Sequence, residues 1–108
     1  AIVDKLYYRV TNEYIEKAME KTRLLLGIAP DDYSVDVLEN NVLSKYSDKT
    51  QSIVFNSKIC TYSKEIIDYI VLHEFCHLKY KRNTKKFWNM VGEFMPYYEE
   101  YEYLLNVA

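Results

Sequence analysis

Polar and apolar positions alternate along this chain with different periods, and each period predicts a different kind of element. Over residues 12–27, NEYIEKAMEKTRLLLG, the side chains of Ile15, Ala18, Met19, Thr22, Leu25 and Leu26 recur at helical spacing and share one face. Thr11 or Asn12 suits the start, and Gly27 followed by Pro30 suits the stop. This predicts an amphipathic helix lying on a flat partner. Residues 33–57 change character: YSVDVL and QSIVFN alternate or run apolar with β-branched residues, and SDKT between them reads as a turn. Two or three strands are expected, with an edge strand around Val42–Tyr46.

From Ser63 the helical period returns. Ser63 is a good N-cap, and Glu65 and Asp68 stand near the positive end of the helix dipole. IIDYIVLHEFCHL is apolar nearly all the way round, which predicts a central helix buried on most sides. It gives out in KYKRN. Thr84 caps a further helix with Phe87, Trp88, Val91, Phe94 and Met95 as its buried stripe. Pro96 interrupts it, and YYEEYEYLL forms a last acidic helix.

Composition narrows the class. The 108 residues suit a single domain, residues 1–108, and an opening Ala1 in place of Met points to a fragment of a longer chain. Gly and Pro number only two each, which argues against long loops. A net charge of −2 gives the whole chain no electrostatic pull toward nucleic acid or an anionic membrane. Cys60 and Cys76 form neither a CxxC pair nor a disulfide framework, and no apolar run approaches about 18 residues. A reducing, cytoplasmic setting without membrane partners is the expectation.

The candidate chemistry lies in HEFCH, residues 73–77, which holds both histidines of the chain. Residues i and i+4 of a helix project from one face, so His73 and His77 can each offer a nitrogen to a shared zinc ion. Glu74 then stands near the open side of the metal, placed to take a proton from water and pass it to a leaving amine. Burial strengthens the reading, because a histidine in a dry core needs partners for its ring nitrogens.

The segments IDYIVLHEFCHLKY, FWNMVGEFMP, the tyrosine after its proline, the closing leucines and the upstream SIVFNSKI resemble the YgjP-like metallopeptidase domain, a zincin related to the SprT and WLM families. The resemblance implies an α+β, zincin-like fold: a small, mostly antiparallel sheet packed on the long HExxH helix, with helices flanking it. It implies zinc ligation by His73 and His77 and a general base in Glu74. The family's third ligand is a histidine six residues after the second; here that position is Asn83. The family's Trp-Gly-Ser-Cys turn is replaced by SKYS, residues 44–47.

Several residues compete for the third position. Asn83 can offer a carboxamide oxygen or a bound water; it also suits a left-handed helix end between Arg82 and Thr84. Glu93 is the runner-up, with Glu99 and Glu100 at similar distance along the chain. Cys76 is better read as a small buried side chain than as a thiolate. Tyr80 and Tyr98 are candidate donors to a developing oxyanion. Lys79, Lys81, Arg82, Lys85 and Lys86 form a basic turn able to touch a nucleic-acid backbone, although cations also favour helix C-termini. The leading expectation is a zinc metallopeptidase acting on peptide or protein. The alternative is a zincin scaffold without catalysis that binds protein or nucleic acid.

Overall fold

A computed structural model describes the chain from Ile2 to Val107. The chain's opening residue, and the expectation attached to it, lie outside the described residues. The element order is α1 (Ile2–Leu26), β1 (Asp32–Asp36), β2 (Ser44–Ser47), β3 (Ser52–Asn56), a single 3-10 turn (Ile59–Thr61), α2 (Lys64–Lys79), α3 (Lys85–Phe94) and α4 (Tyr98–Val107). The fold is α+β.

Helix α1 begins well before the expected start. Residues 2–10 contain no Gly or Pro to stop a helix, and Thr11 does not cap one. The Thr11 hydroxyl is buried in mid-helix, where it donates to the Ser57 carbonyl at 2.6 Å and accepts from the Cys60 amide at 3.1 Å. It therefore bolts α1 to the segment that leads into α2. The apolar face is also narrower than the spacing suggests: Ile15, Ala18, Met19 and Thr22 are buried, whereas Leu25 is 57% exposed. Gly27 closes the helix with φ at +74°, its amide bonding to the Arg23 carbonyl at 2.8 Å.

The three strands lie in the order β1-β3-β2. β2 and β3 pair antiparallel through the tight turn that SDKT supplies, with Tyr46 opposite Ile53. β1 pairs parallel with β3, Val35 opposite Phe55, so the sheet is mixed, with one parallel and one antiparallel pair in place of the mostly antiparallel sheet expected. The direction of β1 is set by the crossover at residues 37–43, in which Asn40 and Asn41 both take φ of 59°. That crossover is held from beneath by Asn56. Its buried side chain donates to the Leu38 and Val42 carbonyls at 3.2 and 2.8 Å and accepts from the Lys58 amide at 3.0 Å.

Helix α2 runs through the centre, as its all-round apolarity predicts. Ser63 caps it by accepting from the Ile66 amide at 3.3 Å. Ile66, Ile67, Ile70, Val71 and Phe75 pack toward the sheet and α1, joining Ile15, Val35, Ile53 and Phe55. Tyr69, Leu72 and Cys76 pack on the opposite flank with Phe87 and Val91 of α3. Thr84 caps α3 as expected, and Met95 ends it one residue before Pro96.

Replacing Thr11 with Val keeps the shape and removes both hydrogen bonds. A buried carbonyl and amide lose their partner, so Thr11→Val should lower stability by about 1–3 kcal/mol. Urea unfolding measures this, and a change under about 0.5 kcal/mol would mean that water replaces the hydroxyl without cost.

Candidate metal centre

With one flank of α2 committed to the sheet and another to α3, a single face is left for chemistry. On it stand His73 and His77, with Tyr69 one turn earlier at the border with the α3 flank. The imidazole centroids of His73 and His77 lie 5.0 Å apart. Glu74 is buried at 4% exposure, its Oε1 3.6 Å from His73 Nδ1. Donor atoms of His73, Glu74 and His77 all fall within 4.8 Å of one another. Two ligands on a tetrahedral zinc stand about 3.4 Å apart, given bonds of about 2.0–2.1 Å, so the two imidazoles are near the spacing that one ion needs.

The chain also prepares His77 for that role. His77 Nδ1 lies 3.0 Å from the carbonyl oxygen of Tyr80. A carbonyl only accepts, so Nδ1 carries the proton and Nε2 keeps its lone pair for a metal. Burial holds the His77 pKa below its usual value, partly opposed by the Tyr80 carbonyl, and keeps the ring neutral near pH 7. Phe87 stacks on His77 at 4.3 Å and meets His73 edge-on at 5.1 Å. Thr84 fixes that wedge by accepting from the Phe87 amide. Tyr46 of β2 closes the other side of His77 at 6.2 Å.

A hollow of about 370 Å³ opens beside His73. Asn41 and Ser44 form its rim from the crossover and β2, with Tyr69, Asn83 and Glu102 opposite. Asn83 thus reaches the site, but not as a helix end: α2 finishes at Tyr80 in extended geometry, and Asn83 is not among the residues of positive φ. Glu93 is placed elsewhere. It is exposed and lines a separate hollow with Lys79, Tyr80 and Lys86, because α3 turns that face away from the histidines.

The acid that reaches the hollow is Glu102 of α4, a residue that the acidic character of the tail does not single out. Tyr98, Tyr101, Glu102 and Leu105 share the half-buried face of α4, and a glutamate within such a stripe is the signal that marks it. The Tyr69 hydroxyl donates to Glu102 Oε1. Burial, and then this bond, push the Tyr69 pKa well up, so the hydroxyl stays a donor.

Other candidates take plain roles. Cys76 is buried and burial pushes its thiol up to about 12, so it is no thiolate. Tyr80 contributes its carbonyl, and its ring lies in the other hollow beneath Lys79. Tyr98 stacks on Trp88 at 5.3 Å, its ring edge 3.2 Å from where a Cβ on Gly92 would stand. In the basic turn Lys81 is engaged with Asp48 at 2.9 Å, tying the end of α2 to the β2–β3 turn. Among the described residues no helix is long and apolar enough to cross a membrane.

A small mixed sheet against a buried HExxH helix, with donor groups clustered on that helix, defines the zincin-like class of metallopeptidase domain. The chain belongs to the family of YgjP-like metallopeptidase domains, whose pattern matches residues 1–108. Among solved structures it is similar to the metallopeptidase zymogen of Pyrococcus abyssi abylysin. That match has 24% identity and a TM-score of 0.72, covering 82% of this chain and 88% of the other. No curated protein sequence matches it.

In the metal-free protein the depressed His77 pKa couples stability to pH. Below about pH 6.5 the unfolded chain takes up a proton at this histidine that the folded chain resists. Stability should therefore fall as pH drops from about 6.5 to the lower folded value, then level off. Urea midpoints between about pH 7.5 and pH 5 should show a flatter slope in His77→Gln. An identical slope would assign the titration to other groups.

Proposed function

We propose that this domain is a zinc-dependent peptidase acting on peptide or protein substrates. The observation that carries it is the grouping of His73, Glu74 and His77 donor atoms within 4.8 Å on a face where the His77 tautomer is already set. His73 and His77 hold the ion. Zinc, when bound, supplies a Lewis acid that brings a water's pKa toward about 7. Glu74, in a nearly dry position beside His73, accepts the proton of the attacking water and returns it to the leaving amine. Glu102 replaces Glu93 as the third protein donor, since it shares the hollow with His73 and carries the charge that Asn83 lacks. Asn83 then serves through a water, or as a contact for substrate.

Elemental analysis should find about one zinc per chain, lost in His73→Ala. Glu74→Gln should keep that zinc while slowing cleavage of a quenched fluorescent casein by about 10²–10⁴-fold. Cleavage at the unaltered rate in Glu74→Gln would remove the mechanism.

One observation favours a second reading: the tight donor group contains two histidines and Glu74 alone, with Glu102 standing outside it. A scaffold that binds protein without catalysis would show no zinc even in excess metal, and Asn83→His would not restore affinity.

A further inference from the structure

Tyr69 is one turn ahead of His73 on the same face of α2 and is 1% exposed. Its ring has little freedom, stacked on Tyr101 at 5.6 Å and lying 6.0 Å from the His73 ring. The position of its hydroxyl is therefore set by the same rigid helix that sets the histidines. Glu102 has no such anchor of its own. It sits on the last helix, at the end of a side chain with several rotatable bonds, and freezing such a side chain costs conformational entropy.

We infer that Tyr69 is the positioning residue for Glu102: its buried hydroxyl, carried on the histidine helix, holds one carboxylate oxygen and leaves the other for a divalent cation. A carboxylate has lone pairs enough for both partners. The donor is also neutral. A lysine or arginine in its place would cancel the charge that a cation needs, and among the described residues no such side chain forms an ion pair with Glu102. A hydroxyl orients the carboxylate and leaves its charge intact.

The inference rests on reading His73, His77 and Glu102 as donors to one ion, and a double-mutant cycle separates the two claims. Zinc and cobalt(II) affinities would be measured on the full chain by competition with a chromophoric chelator, for wild type, Tyr69→Phe, Glu102→Gln and the double variant. Thermal melts of the metal-free proteins would run beside them. Glu102→Gln should weaken binding by at least about 10²-fold and Tyr69→Phe by about 10-fold, within the range for outer partners of metal ligands. The double variant should bind no more weakly than Glu102→Gln, because Tyr69 acts through Glu102. The cobalt visible band of Tyr69→Phe should shift toward that of Glu102→Gln, a change that general loosening of the fold does not produce. A Tyr69→Phe loss of equal size with or without Glu102 would overturn the positioning role and leave Glu102 a ligand. Affinity unchanged in Glu102→Gln would overturn both.

Discussion

Burying a helix on two flanks decides what its remaining face can be. α2 gives one flank to the sheet and α1 and another to α3, which leaves His73 and His77 as a narrow strip bordered by Tyr69. The imidazoles there are half-buried, so a protein partner at one nitrogen offsets part of the desolvation cost. His77 has that partner in the Tyr80 carbonyl at Nδ1, which leaves a lone pair on its other nitrogen. The site's chemistry therefore follows from the packing of α2.

The same packing fixes the periphery. Phe87 touches both histidine rings and is itself a core residue, so α3 cannot shift without disturbing the donor geometry. Thr84 and Lys81 hold the two ends of the intervening turn, one through the Phe87 amide and one through Asp48. On the sheet side, Asn56 supports the crossover whose residues form the rim of the hollow. The asparagine that closes β3 thus acts on the site through the loop above it, without facing the histidines.

What the sequence disclosed was local in origin. The HEFCH spacing, the Ser63 and Thr84 caps, the Gly27 stop and the buried character of α2 each depend on residues within about two turns of one another, and each is where the pattern places it. What it hid depends on partners far along the chain. Thr11 looked like a cap because its bond to Ser57, 46 residues away, has no local sign. β1 runs parallel to β3 because of a crossover whose direction no periodicity encodes. Glu93 and Glu102 both lie on helices after HEFCH, and only the rotation of α3 and the return of α4 after Pro96 separate them.

That last separation has a physical cause near the motif itself. A third donor close behind His77 would have to come from residues 81–84, but the segment is already committed: Lys81 to Asp48, Thr84 to the first turn of α3. Asn83 between them offers a neutral amide. The carboxylate that lines the hollow comes instead from a more distant element. α4 can bring it there because Gly92 lets the Tyr98 ring approach α3 closely and Tyr101 stacks on Tyr69. The aromatic residues that crowd this tail are therefore more than filling. They dock the helix whose one acid on the half-buried face, Glu102, meets the hydroxyl of the histidine helix.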